Sequence, residues 1–401
     1  MNRFTPLENS AVHGDDTTEK VLNPLRKKDA KEPSFLTGFN LLKKSKISSA
    51  RLGEVKTNHG IFKTPVFMPI ATRAAVKSLT AKEVKNLGAE IILSNTYHLM
   101  MRPGSELIRR AGSLHQFMNW SGPILTDSGG YQVFSLSKQR KILADGVKFK
   151  SEIDGQEYYL TPKKAIEIQM DLGSDIMMVL DECAPYPSEH KYLEESIKRN
   201  AIWAKKMKDE KKDNGQLLFG IVQGGIYDDL RKESAESLIK IGFDGYALGG
   251  LTIGEPIDNT YQIIELLNPV LPIDKPRYLM GAGRPEQIIE AVKRGIDMFD
   301  CVIPTREGRH GKLFLRNKNT NLQDKDFYRA IQIVNSEFSA NFSPINPYSN
   351  LPELKKYTLA YLRHLFKTSE PLAQRLATLN NLEFYLNLIK EIREAIAQDN
   401  L

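Results

Sequence analysis

Three aspartates, Asp127, Asp181 and Asp300, each stand at or just beyond the end of a short apolar run, with a hydroxyl, thiol or glycine close by. The clearest case is Ile124-Leu125-Thr126-Asp127-Ser128-Gly129-Gly130-Tyr131. Ionised groups resist burial unless they are paired or hydrogen-bonded, so a carboxylate at a strand end is poorly placed for stability. Alone, Asp127 reads as a turn or N-cap acid. The pattern recurs, however, because Asn95, Gln223, Gly249-Gly250 and Gly281 also follow apolar runs. Two carboxylates facing one sugar carbon can run a double displacement. One attacks the anomeric carbon and holds a covalent glycosyl intermediate, while the other protonates the leaving group. Paired acids on a rim could instead hold Mg²⁺ or Mn²⁺, the lesser of the two readings from residue types alone. Gly-Gly pairs beside the acids favour close backbone contact with a flat ligand.

The elements that would position these residues alternate. Apolar runs at 64–70, 89–94, 123–125, 175–180, 218–222, 245–248, 277–280 and 297–299 are separated by helical patterns such as 162–172, 189–209, 227–241 and 285–295. Pro162 and Pro285 suit the first turns of their helices. Strands apolar throughout, alternating with helices, indicate a parallel sheet covered on both faces. About eight such units predict an α/β fold of the (β/α)8 TIM-barrel type, whose active sites lie on the C-terminal rim. The predicted organisation is a polar leader over 1–34, a barrel over 35–315, and an Asn-rich irregular stretch followed by two helices over 316–401.

Composition narrows the setting. The 401 residues are 41% hydrophobic with a formal charge of +7, which suits an anionic partner such as RNA. No apolar run is long enough for a transmembrane helix, and the N-terminus lacks the apolar core of a secretory signal. Two cysteines, Cys183 and Cys301, exclude a disulfide framework and a thiolate-rich zinc site, and point to a cytoplasmic setting.

The motifs then converge. Leu125–Leu136 (LTDSGGYQVFSL), Leu180–Pro187 (LDECAPYP), Phe219–Gly225 (FGIVQGG), Gly242–Glu255 (GFDGYALGGLTIGE), Tyr278–Pro285 (YLMGAGRP) and Gly295–Gly311 (GIDMFDCVIPTREGRHG) stand in one order. In that order the chain resembles the tRNA-guanine transglycosylases, also called queuine tRNA-ribosyltransferases. The resemblance implies exchange of the wobble guanine of GUN-anticodon tRNAs for a 7-deazaguanine base in queuosine modification. It implies Asp300 as the nucleophile on ribose C1′ and Asp127 as general acid/base. Asp181 would accept from the purine edge, and Ser128, Gly129, Gly130, Gln223, Gly250 and Leu251 would complete base recognition, with Tyr131 and Met280 sandwiching the ring. Without the resemblance, Tyr131 and Met280 read as core.

The same resemblance assigns Gly281, Ala282, Gly283, Arg284, Pro285, Glu286 and Gln287, with Thr305, Arg306, Glu307, Gly308 and Arg309, to the anticodon loop. Guanidinium forks suit its base edges and phosphates; the bland alternative for Arg306 and Arg309 is a surface pair bridging Glu307. Ile253 stands where queuine-accepting relatives carry a small residue, and Cys183 follows the bacterial pattern, so 7-aminomethyl-7-deazaguanine (preQ1) is the expected base. Relatives also carry a structural zinc on a Cys-x-Cys-x-x-Cys cluster and a later His. Here those positions hold Ser349, Leu351, Leu354 and Asn380, so a zinc-free protein with no metal or other cofactor is expected. The resemblance further allows a homodimer. Three alternatives remain at this point: a non-catalytic tRNA-binding paralogue or subunit, the same exchange on a different nucleic acid, and a metal-dependent barrel lyase.

Overall fold

The computed structural model describes residues 37–136, 140–152 and 155–401, so the leader expected over 1–34 lies outside the described residues. Eight short parallel strands form the centre: β1 (Val66–Met68), β2 (Ile92–Ser94), β3 (Ile124–Thr126), β4 (Ile176–Met178), β5 (Leu217–Val222), β6 (Gly245–Leu248), β7 (Arg277–Leu279) and β8 (Met298–Asp300). Each neighbours the next, and β8 returns to β1 with Asp300 opposite Met68. The ring closes between β1 and β2, where Leu93 N donates to Pro69 O at 3.0 Å and Ala71 N to Leu93 O at 2.6 Å. This is the (β/α)8 barrel anticipated from the alternation. Every residue of the eight strands is buried, which is why they read as continuous apolar runs rather than alternating ones.

The covering helices start and stop on local signals. Thr161 caps Pro162–Leu172 by accepting from Lys164 N, Pro162 takes the first turn, and Gly173 ends the helix at φ +67°. Pro285 plays the same part in Pro285–Lys293. Two antiparallel sheets were not expected from the apolar pattern. Gly38–Lys44, Arg51–Thr57 and Gly60–Thr64 form one, and Arg140–Leu143, Gly146–Lys150 and Glu157–Leu160 form the other, inserted after β3. The stretch expected to be irregular holds a strand, Tyr328–Gln332, paired with Lys312–Arg316 across position 315. Beyond it lie Pro352–Lys356, Leu359–Lys367 and the long helix Pro371–Ala397. Among the described residues no helix is long and apolar enough to cross a membrane.

The long helix is anchored through polar groups. Asn381 is fully buried; its Nδ2 donates to Pro304 O at 3.0 Å and Lys312 O at 2.9 Å, while its Oδ1 accepts from Phe314 N at 3.0 Å. Asn380 Nδ2 donates to Phe314 O at 3.0 Å. The helix thereby fixes Ile303–Arg309, the segment immediately after the Asp300 strand.

Candidate active site

Asn95, Asp127, Asp181, Gln223, Gly249, Gly250, Gly281 and Asp300 all fall at or just beyond the C-terminal ends of barrel strands, so the rim inferred from the apolar runs is one physical surface. The three acids are buried, with exposures of 7% for Asp127, 5% for Asp181 and 9% for Asp300. Each is held differently.

Asp127 sits among four donors. Its Oδ1 accepts from Thr96 N at 2.8 Å and Gly129 N at 3.3 Å, and its Oδ2 from Gln132 Nε2 at 2.9 Å and from the Asn95 amide. Burial outweighs these bonds and lifts the carboxyl to about 6. The other end of the Gln132 amide, Oε1, is buried with no partner among the described residues. A half-turn of that amide would present an acceptor to a protonated Asp127.

Asp181 is held by two side-chain donors. Ser128 Oγ donates to its Oδ1 at 3.0 Å and Gln223 Nε2 to its Oδ2 at 2.7 Å, and burial raises this carboxyl, too, to about 6. The glycines explain the tight assembly. A Cβ on Gly130 would collide with the Asp181 carbonyl, and one on Gly250, at φ +63°, with the Gln223 side chain. These glycines therefore let strand ends close on one another, whereas the sequence suggested only room for a ligand.

At Asp300, Tyr278 OH donates at 2.5 Å and Gly281 N at 2.9 Å, both to Oδ1. Burial raises the Asp300 carboxyl above its ordinary range. Tyr278 is itself fully buried, and burial with the fields of Asp300 and Asp127 pushes its phenol far up, so it stays a donor.

The remaining expected residues divide by exposure. Tyr131 is 50% exposed, which removes the reading of it as core. Met280 is partly buried against the core, its carbonyl accepting from Thr252 Oγ1 at 3.3 Å, and Leu251 is buried. Gly281, Arg284, Glu286 and Arg306 are exposed, and Gln287, Glu307 and Arg309 are partly so. Ala282, Gly283, Pro285, Thr305 and Gly308 are buried and shape the loops rather than line the surface. The Arg306–Glu307 approach is long, at 3.8 Å, and Arg309 donates to Thr305 O at 2.9 Å, so the pair is not consumed by Glu307. Ile253 lines a cavity of about 70 Å³ with Tyr186, Pro187, Gln223, Gly225 and Gly250.

Sequence reading missed the supports. The sequence marks Asn95 only by its position after an apolar run and carries no sign that Gln132 and Tyr278 are partners of the acids. Arg231 is fully buried; it donates to Val222 O and Gly249 O, each at 2.8 Å, to Gly225 O at 2.7 Å and to Gly250 O at 3.4 Å. It ties the ends of β5 and β6 together through carbonyls, a partner set with no side-chain signature.

Chelation by the rim acids finds no support. Among the described residues, the one group of three His, Cys, Asp or Glu with converging ligand atoms is His59, His115 and Asp175, which includes no rim acid. The family zinc does not fit either. Ser349 Oγ donates to Glu383 Oε2 at 2.5 Å, Asn350 N to Glu383 Oε1 at 2.6 Å, and Asn346 Nδ2 to Asn380 Oδ1 at 3.2 Å, while Leu354 is fully buried. Two leucines, a hydroxyl and an amide offer no thiolate or imidazole to zinc.

Comparison with known proteins matches residues 46–401 to the family model of queuine tRNA-ribosyltransferase. The chain is similar to the queuine tRNA-ribosyltransferase of Caldanaerobacter subterraneus subsp. tengcongensis, 52% identical over 364 residues, covering 90% of this chain and 94% of the relative. It is likewise similar to those of Halothermothrix orenii, at 50% identity with 90% and 94% coverage, and Listeria innocua, at 49% with 90% and 93%.

Proposed function

The chain belongs to the queuine tRNA-ribosyltransferase family, the tRNA-guanine transglycosylases, and on that premise we propose that it exchanges the wobble guanine of GUN-anticodon tRNAs for preQ1 through a covalent ribosyl-enzyme intermediate. The observation that carries the reading is the division of labour among three buried acids on one rim. Among the described residues the two bonds to Asp300 fall on Oδ1, which leaves Oδ2 to attack ribose C1′ as the C1′–N9 bond breaks. Asp127, lifted to about 6, hands its proton to the departing guanine. Gln132 keeps Asp127 satisfied in both states by turning its amide. The incoming base then gives its proton to Asp127 and attacks C1′, and Asp300 leaves as a carboxylate. One carboxyl serves both half-reactions, as microscopic reversibility requires.

Asp181, fixed by Ser128 and Gln223, accepts from the purine N1–H and exocyclic amine. Tyr131 and Met280 flank the ring, and Ile253 limits the space beyond it, which favours preQ1 over the bulkier queuine. Arg284, Arg306 and Arg309 receive the anticodon loop in the cytoplasm, where tRNA is modified. The intact acids weigh against a non-catalytic paralogue. The test is exchange of radiolabelled guanine into GUN-anticodon tRNA, with preQ1 and queuine as competitors. Wild type should exchange and prefer preQ1, and Asp300→Ala should lose activity by about 10³-fold or more. No exchange by wild type on that tRNA would end the reading.

A further inference from the structure

At the barrel floor, opposite the rim, two imidazoles converge on one buried carboxylate. Asp175 immediately precedes β4; His59 lies in the turn between Arg51–Thr57 and Gly60–Thr64, and His115 in the helix Ser113–Met118. His59 Nδ1 lies 2.8 Å from Asp175 Oδ1 and His115 Nε2 lies 3.1 Å from Oδ2. The rings stack with centroids 3.5 Å apart, and the three ligand atoms lie within 4.8 Å of one another. The Asp175 side chain is fully buried, His115 nearly so, and His59 is 40% exposed.

We propose that this cluster is a divalent transition-metal site, with His59 Nδ1, His115 Nε2 and an Asp175 oxygen as ligands. Tetrahedral ligands about 2.1 Å from an ion lie roughly 3.4 Å apart. Each nitrogen keeps 2.8 or 3.1 Å from its own carboxylate oxygen, so binding requires the stacked rings to open until both lone pairs meet one ion. Two imidazoles and a carboxylate suit Zn²⁺ or Co²⁺ over Mg²⁺ or Ca²⁺. The carboxylate is held independently of the rings, because Oδ1 also accepts from His59 N at 3.1 Å and Oδ2 from Ile124 N at 2.9 Å. An ion therefore displaces the two ring contacts and leaves the backbone bonds in place. Each ring must offer a lone pair, so neutral imidazoles move their N–H to the far nitrogen and a protonated His59 releases its proton. The far nitrogen of His115, Nδ1, is buried without a partner among the described residues, so among them the site lacks the outer hydrogen bond that strengthens most His ligands. Half-exposed His59 is the entry path. The ion pins the N-terminal hairpin to the barrel floor and touches nothing on the catalytic rim.

The test is titration of the chelator-stripped full chain with Co²⁺, followed by its visible absorption, and with Zn²⁺, followed by calorimetry and thermal melting. Wild type should bind one equivalent saturably and melt several degrees higher with Zn²⁺, with guanine exchange unchanged. His59→Gln keeps a hydrogen-bonding side chain beside Asp175 but removes the imidazole, and should lose the Co²⁺ bands and the melting shift while keeping exchange. Absence of saturable binding by wild type, or equal binding by His59→Gln, would overturn the proposal and leave the cluster a hydrogen-bonded staple.

Discussion

Asp127 shows why a reactive group costs stability. Its carboxyl titrates near 3.9 in an unfolded chain and near 6 when folded, so between those values the folded state binds more protons. Folding stability therefore rises as pH falls from above 6 towards 4, and is lost as pH rises through 6. The rise in the Asp127 pKa corresponds to roughly 3 kcal/mol of stability lost at neutral pH. Replacing Asp127 with Asn should abolish exchange and remove this penalty. The melting temperature of Asp127→Asn relative to wild type should climb by several degrees between pH 5 and pH 8. A difference that stays flat across that range would show that ionisation of Asp127 carries no folding penalty. In the sequence Asp127 alone reads as a turn or cap acid, and only the recurrence of polar residues after apolar runs makes it a candidate. Its partners were not legible, since Asn95 and Gln132 act through amides that any polar loop could carry.

At the scale of elements, the barrel was readable because strands buried on both faces lose the alternation of an ordinary sheet, and the first polar residue after each run marks the rim. The inserted sheet was hidden for the converse reason. Gly146-Val147-Lys148-Phe149-Lys150 does alternate, but its period-two signal is brief and lies between stronger helical patterns. Arg231 was hidden more deeply. It lies on the helix Asp228–Ile241 and holds β5 and β6 in register at Gln223 and Gly250 by donating to four carbonyls. Burial pulls its guanidinium down to about 10, which leaves it cationic at neutral pH. A lysine cannot reproduce that fork, so Arg231→Lys should leave buried carbonyls short of donors and loosen the proposed base pocket. The KM for guanine should rise about 10-fold, with the KM for tRNA changed less than about 3-fold, because Arg306 and Arg309 stand on another element. Rises of equal size in both constants would assign Arg231 to general stability instead of pocket alignment.

Across the whole molecule, the C-terminal elements are joined to the barrel by hydrogen bonds and packing where relatives are expected to use a metal. Glu383, on the long helix, holds the Ser349–Asn350 turn by side chain and backbone, while Leu354 closes the apolar contact beneath. The sequence places no thiol or imidazole at Ser349, Leu351, Leu354 and Asn380 but gives no sign of this contact, because only folding brings Glu383 to the turn. A staple of this kind is indifferent to chelators and sensitive to its acceptor. Removing the carboxylate strands the Ser349 hydroxyl and the Asn350 amide, at a cost of about 2–4 kcal/mol. The long helix also fixes Ile303–Arg309 through Asn381, so loosening it should reach the proposed tRNA surface as well as the fold. Glu383→Ala should therefore melt several degrees lower and bind tRNA more weakly, with guanine recognition retained. The His59→Gln protein, which lacks the proposed floor site, separates the two uses of metal. After purification it should contain no zinc, and chelation should not lower its melting temperature; one tightly held equivalent of zinc would show that the C-terminal region still binds a metal through ligands other than those positions.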